Sequence, residues 1–319
     1  MALTVELALQ LLQIGMVVAI APLIMGITRK VRARLLRRRG PPLVQPYLDL
    51  WKLMHKEVVV APNASWVYRR APYVVFAATW VAAGLVPTYA TGLLFSWSAD
   101  LIAVIALLGT ARFALALAGM DVGTAFGGLG SSREMMIASL AEPAMLLISF
   151  AVALIAGTTQ LSAIAALFST GDVGVRVSLG LALLALIVVG IAENARIPID
   201  NPATHLELTM VHEAMILEYS GRHLAMIEAA AQLKLVLYFS LVACLFAPFG
   251  MAVGGDQSAL ALGIGIVTFL GKLAVFAVLL PIAETTVAKM RVFRYPAFVG
   301  SAFAAAALAV FLRFVSRGF

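Results

Sequence analysis

Cysteine is almost absent: Cys244 is the only one in 319 residues. This excludes an internal disulfide and any iron-sulfur cluster or structural zinc site built from several cysteines of this chain. Charge is scarce as well, at 12% of residues against roughly 25% in an ordinary soluble domain, while 62% are hydrophobic. A soluble globular enzyme is thereby excluded. There are four histidines, and His-Glu-x-x-His spacing is missing, which argues against a metal site. The net charge of +7 comes without any polar domain to dock a duplex, so it is not a nucleic-acid signal. No internal repeat of the kind carried by many secondary transporters is evident, which weighs against a stand-alone carrier.

What the sequence has in abundance is apolar runs of about 20 residues, each long enough to cross a bilayer. They predict an all-α, polytopic membrane protein with about eight transmembrane helices, near 4–28, 72–90, 100–120, 136–158, 175–196, 224–248, 259–282 and 297–315. The whole of 1–319 reads as one transmembrane domain. The N-terminal run lacks a charged start and a small-residue cleavage site, so it reads as a retained span rather than a signal peptide. Eleven of the 23 basic residues lie between Arg29 and Arg70. Placing them in the cytoplasm orients every other connection by alternation. Arg133, Arg196, Arg222, Lys289, Arg291 and Arg294 then fall on the same side, and both termini face outward.

Three cytoplasmic stretches, 29–71, 121–142 and 193–223, hold the informative length and are the expected docking loops. The first turns at Gly40-Pro41-Pro42 and continues through Gln45, Asp49 and Lys52 to Glu57. Leu50, Leu53 and Met54 recur at helical spacing beside Lys52 and Lys56, predicting an amphipathic helix in the membrane interface. That helix is a surface anchor, a docking element or a roof over a cavity. The second stretch, Gly127-Gly128-Leu129-Gly130-Ser131-Ser132-Arg133-Glu134, is not a phosphate loop, since the Lys-Ser or Lys-Thr ending is missing. Ser131 or Ser132 is expected to cap a helix with Glu134 in its first turn. Glu142 then lies two turns into the span, where an ionisable group suggests a polar pathway.

The third stretch is the densest in chemistry. Glu193 and Arg196 stand three apart at a helix end, a spacing that lets them pair. Asp200 follows on a loop held by Pro198 and Pro202. Glu207 and Glu218 are eleven apart, which on one helix returns them to the same face. With Glu213 beside them, acids sharing a hydrated cavity would raise one another's pKa toward the range proton transfer needs. The bland reading is a solvated acidic loop. Within the spans stand Arg112, Lys234 and Lys272, each of which must snorkel, pair or face water. Glu228 lies within two turns of Lys234, and Glu284 follows Pro281 near Lys289 and Arg291. Each is a structural ion pair or a member of a proton route.

The run from Gly40 to Glu57, the Ser131-Ser132-Arg133-Glu134 to Glu142-Pro143 segment, the Glu193-Asn194-Ala195-Arg196-Ile197-Pro198-Ile199-Asp200 loop and Glu218-Tyr219-Ser220-Gly221 together resemble the respiratory complex I subunit 1 family. The long 200–218 run is similar to its hydrogenase branch, that of formate hydrogenlyase and hydrogenase-4. The resemblance implies an eight-helix membrane heel with no metal or other cofactor of its own. A hydrogenase large subunit with a nickel-iron centre and a small subunit with iron-sulfur clusters would dock on its cytoplasmic loops. Antiporter-like membrane subunits would adjoin it in the plasma membrane of a prokaryote. The resemblance also implies that Glu193, Arg196 and Asp200 face the redox arm, and that Glu142, Glu207 and Glu218 line a hydrated passage for protons or sodium. Lys234 stands where quinone-reducing relatives more often have an acid, so a bound quinone is disfavoured. A quinone-reducing heel and a passive anchor are the alternatives.

Overall fold

The computed structural model describes residues 2–170, 176–197, 210–253, 258–288, 290 and 294–316. Eight long helices stand at the eight predicted positions: α1 (Ala2–Leu35), α3 (Trp66–Leu85), α4 (Leu101–Asp121), α5 (Ala125–Ala156), α7 (Val177–Glu193), α9 (Gly221–Phe246), α10 (Ala259–Thr286) and α11 (Tyr295–Val315). Three short ones fill connections: α2 (Gln45–Met54), α6 (Leu161–Ser169) and α8 (His212–Ile216). Among the described residues there is no strand. Six of the long helices are apolar and long enough to cross a membrane, and α7 is a shorter apolar helix. The eighth, α3, falls short because any stretch of it long enough to cross contains both Arg69 and Arg70. The chain is an integral membrane protein.

The core is built on small residues at helical spacing. On α11, Val299, Ala302, Ala306 and Ala309 are buried, as are Ala141, Ala144, Ile148 and Ala151 on α5, and α5 and α11 form one of the most extensive helix pairs. Small side chains let helix backbones approach closely, which is what association within lipid relies on. Outside this core the large apolar residues point outward, among them Leu260, Val267, Phe311 and Phe314. In water that surface would be a liability; in hydrocarbon it is solvated.

Polar caps fix the helix ends. The Ser65 hydroxyl accepts from the Val67 N–H at 3.0 Å, and the Ser65 N–H donates to Asp121 Oδ2 at 2.8 Å, tying the start of α3 to the end of α4. On the opposite face Asp100 caps α4 through the Ile102 N–H at 2.7 Å and accepts from the Thr159 hydroxyl.

Two sequence expectations give way here. The glycine-rich stretch is helical: α5 starts at Ala125, capped by Thr124, whose hydroxyl accepts from the Gly127 N–H, so neither Ser131 nor Ser132 is the cap. The glycines serve packing. A Cβ on Gly130 would lie 2.9 Å from the Val211 carbonyl oxygen and 3.0 Å from Met215 Cγ. Gly130→Leu should therefore destabilise the chain by about 3 kcal/mol through overpacking, well beyond the helix propensity it gains, read as a lower unfolding temperature in detergent. Nor is the described stretch 210–218 one helix, since only His212–Ile216 is helical, with 210–211 and 217–218 outside it. Asp200, Glu207 and Arg291 lie outside the described residues.

A buried charge cluster and the cavities around it

Arg112 is at the middle of α4 with 6% of its side chain exposed, in a helix that is otherwise almost wholly apolar. An unpaired guanidinium there would cost several kcal/mol. Three carboxylates from two other helices meet it. Glu142 Oε1 of α5 accepts from Arg112 Nη1 at 2.9 Å, Glu193 Oε1 at the end of α7 accepts from Nη2, and Glu134 Oε1 lies 3.5 Å from Nε. The planar guanidinium spreads its donors in three directions, which a lysine does not. Lys234 Nζ of α9 then lies 3.8 Å from Glu193 Oε2. The cluster thus joins four helices and holds two cations and three carboxylates.

Burial within it is uneven. The Glu193 and Glu134 side chains are 3% and 12% exposed, whereas Glu142 is 45% exposed although it sits in the middle of a 32-residue span. Gly109, one turn from Arg112, leaves the room that Glu142 fills: a Cβ there would lie 3.4 Å from Glu142 Oε1.

Glu193 and Arg196 do not pair. α7 ends at Glu193, and Ala195 takes a left-handed φ of 48°, which turns Arg196 off the helix axis. Arg196 reaches Glu284 Oε1 at 3.6 Å, and Arg32 Nη1 lies 3.7 Å from Glu284 Oε2. Glu284 is 1% exposed, so this second cluster is buried too. Burial lowers the Arg196 pKa; Glu284 opposes that shift, and Arg29 and Arg32 add to it. α10 runs on through Pro281, which is why Glu284 stays on the helix and faces α1.

Three cavities each border several of these charged groups. The largest, about 180 Å³, is lined by Arg29, Arg32, Asn194, Arg196, His212, Glu213 and Glu228, together with apolar groups. A smaller one of about 30 Å³ holds Arg112, Glu134, His212 and Lys234. A third, of about 10 Å³, lies against Arg112, Glu142, Glu193 and Tyr238. The smaller two are of the size of single water molecules.

His212, the first residue of α8, is positioned by its neighbours. Arg133 donates to the Met210 carbonyl at 2.8 Å, and Met215 packs toward Gly119 and Gly130. Burial, and after it the Lys234 charge, push the His212 imidazole down to about 4, with Glu134 pulling the other way. The folded chain therefore keeps this ring neutral between pH 4 and the ordinary value near 6.5, where the unfolded chain binds a proton. Stability contributed by the neutral ring is present above pH 6.5 and lost as pH falls toward 4. In detergent, wild type should lose more thermal stability between pH 7 and pH 4 than His212→Gln.

The other predicted residues are spread more widely. α2 forms as expected and lies on α1 and α9, with Leu48, Trp51 and Met54 exposed and Pro46 buried. Gln45 donates to Asp49 at 2.8 Å, and Asp49 lies 3.8 Å from Arg29, so these two serve the α1–α2 contact; Lys52 is exposed. Gly40 takes φ 69° at the turn before Pro41. Glu134, grouped in the sequence with docking residues, points into the cluster. Glu218 is exposed and outside it. The rest of that motif is a clamp. Tyr219 stacks on Tyr68 at 4.0 Å, Ser220 bonds both backbone groups of Val59, and Gly221 at φ 54° leaves room for the Lys56 and Glu57 carbonyls. Lys272 stands apart: it donates to the Ala247 and Phe249 carbonyls at 2.6 Å, capping α9 about 20 Å along the helix from Lys234.

Two residues outside the predicted set turn out to be central to this geometry. Arg112 carried a legible signal, since a lone cation inside an apolar span calls for partners. His212 is one of the four histidines whose spacing argues against a metal site, and its place between cavities is a matter of tertiary packing.

Among the described residues, the chain is a helical membrane bundle with a buried arginine shared by three glutamates, beside a cavity lined by charged groups. The chain matches the NADH dehydrogenase family over residues 7–315 and belongs to it; this is the complex I subunit 1 family. Hydrogenase-4 component C of Escherichia coli is 36% identical over 281 residues, 88% of this chain and 87% of that one. Formate hydrogenlyase subunit 4 of the same organism is 33% identical over 306 residues, 96% and 97% of the two chains. The NADH-quinone oxidoreductase of Paraburkholderia xenovorans has a subunit that is 30% identical over 229 residues, covering 67% of this chain and 64% of that one. In fold the chain is similar to a chain of a membrane-bound sulfane sulfur reductase, an archaeal respiratory membrane complex, with a TM-score of 0.79 at 22% identity, over 98% of this chain and 100% of that one.

Proposed function

We propose that this chain is the membrane-anchoring and ion-coupling subunit of a membrane-bound nickel-iron hydrogenase complex of the formate hydrogenlyase and hydrogenase-4 kind, set in the plasma membrane of a prokaryote. Similarity over nearly full length to the two Escherichia coli subunits supports the hydrogenase side of the reading. The nickel-iron centre and iron-sulfur clusters belong to a large and a small subunit docked on the cytoplasmic loops, and the coupled ion, proton or sodium, passes to antiporter-like neighbours in the membrane.

The observation that carries the coupling is the composition of the Arg112 cluster. Two cations for three carboxylates leave it one charge from neutral. A buried cluster of that kind exchanges a proton when the potential beside it changes, because reduction of a docked cluster alters the field at short range and low dielectric. Glu142 supplies the way out. A carboxylate 45% exposed at mid-span is unfavourable against lipid, so another membrane subunit covers it and continues the route. Glu213 and Glu228, in the cavity of about 180 Å³, stand at the opposite end.

Purification in mild detergent tests this reading. The chain should bring with it a nickel-containing large subunit and an iron-sulfur small subunit, and in sealed vesicles hydrogen evolution should build an ion gradient. Recovery of a quinone-reducing dehydrogenase instead would move the chain to the quinone branch. Hydrogen evolution with no gradient would make it a passive anchor.

A further inference from the structure

The cavity of about 180 Å³ and the one of about 30 Å³ share His212, Ile227 and Ala231 in their linings. Two of these are hydrocarbon. Among the described residues, His212 is thus the one titratable group that borders both the polar cavity under the loops and the pocket of the Arg112 cluster. On its inner side it meets Arg112 of α4, Glu134 of α5 and Lys234 of α9; on its outer side stand Arg29 and Arg32 of α1, Arg196 and Asn194 after α7, Glu213 of α8 and Glu228 of α9.

We propose that His212 is the proton relay between these two cavities, passing protons from the loop side toward the Arg112 cluster. This rests on the ion-coupling reading above and fixes the ion handled at this point as a proton. A neutral imidazole carries one N–H and one bare nitrogen. A proton from water or carboxyl in the outer cavity binds the bare nitrogen while the proton on the other nitrogen leaves into the inner cavity, toward Glu134. One proton enters, one departs, no electron moves, and the ring ends as the other tautomer, which a ring flip resets. The position suits this role because burial, and after it the Lys234 charge, keep the ring neutral at working pH against the pull of Glu134. α8 is held against α4 and α5 by the Gly130 contact and the Arg133 clasp, so the backbone that carries the ring stays between the two cavities while the ring itself can turn.

The test uses the assembled complex in sealed inverted vesicles, with proton movement followed by a pH dye during hydrogen evolution. His212→Ala should lower protons moved per electron pair by on the order of a hundredfold, the scale on which a positioned proton-transfer group acts. Imidazole added to the medium should restore most of that loss, while leaving Glu142→Gln unrestored. His212→Gln, which keeps size and polarity without relay chemistry, should lose proton movement similarly, and it is the variant to read if the alanine form does not assemble. Proton movement at wild-type level in His212→Gln, with Glu142→Gln uncoupled, overturns the relay and leaves the ion-coupling reading standing. Loss in His212→Ala that imidazole does not restore makes the residue a packing element and also overturns the relay. Normal movement in both His212→Gln and Glu142→Gln ends relay and reading together.

Discussion

Replacing Arg112 with Met is expected to cost the folded chain about 3–5 kcal/mol, the penalty for leaving buried carboxylates without their cation. Glu193 and Glu134, at 3% and 12% side-chain exposure, are largely cut off from bulk water, and among the described residues Lys234 is within ion-pair distance of Glu193 alone. Immunoblots of membranes should show little chain, and what remains should unfold at a much lower temperature. The penalty comes from unmatched charge rather than from lost attraction, so it should be reversible. Adding Glu134→Gln and Glu142→Gln to the same chain should recover most of the protein, because Glu193 and Lys234 then remain as a matched pair and no carboxylate is left without a cation. Arg112→Lys should fall between, since a single ammonium keeps the charge but does not reach three carboxylates from one plane.

Glu142→Gln is expected to do the opposite: little to assembly, and nearly everything to coupling. The amide oxygen still accepts from Arg112 Nη1, and Gly109 leaves the same room for it. The charge count changes. With Glu142 neutral, two carboxylates face two cations and the cluster is balanced without a proton. Hydrogen evolution should continue while ions moved per electron pair drop on the order of tenfold or more, within the range of losses seen when a proton-transfer group is removed. The measurement is gas evolution and vesicle acidification on one preparation, with co-purification of partners as the control for assembly.

The helices were legible because an apolar run of about 20 residues has few other uses. Their ends were less so. α1 runs on to Leu35 because its Arg- and Lys-rich tail is made of good helix formers. α5 begins eleven residues before the predicted start, since Gly127 to Gly130 read as a loop while tertiary packing uses them to bring α4, α5 and α8 together. The acids and bases of the site were visible one by one, but their partners were not. Spacing favoured Glu193 with Arg196, and a single left-handed residue, Ala195, sends them to different clusters. The contacts that define the hub, Arg112 with Glu142 and with Glu193, join residues 30 and 81 apart in sequence, where local spacing carries no information.

On the proposed ion-coupling function, the carboxylates around Arg112 gain or lose a proton when a docked redox subunit changes state. Infrared difference spectra of the purified complex, recorded between its oxidised and hydrogen-reduced forms, address this through the stretch of protonated carboxyl groups. The account predicts a difference band in that region that disappears in Glu142→Gln and shifts in deuterated buffer. A spectrum with no carboxyl change, from a complex that evolves hydrogen and builds a gradient at full rate, would contradict it.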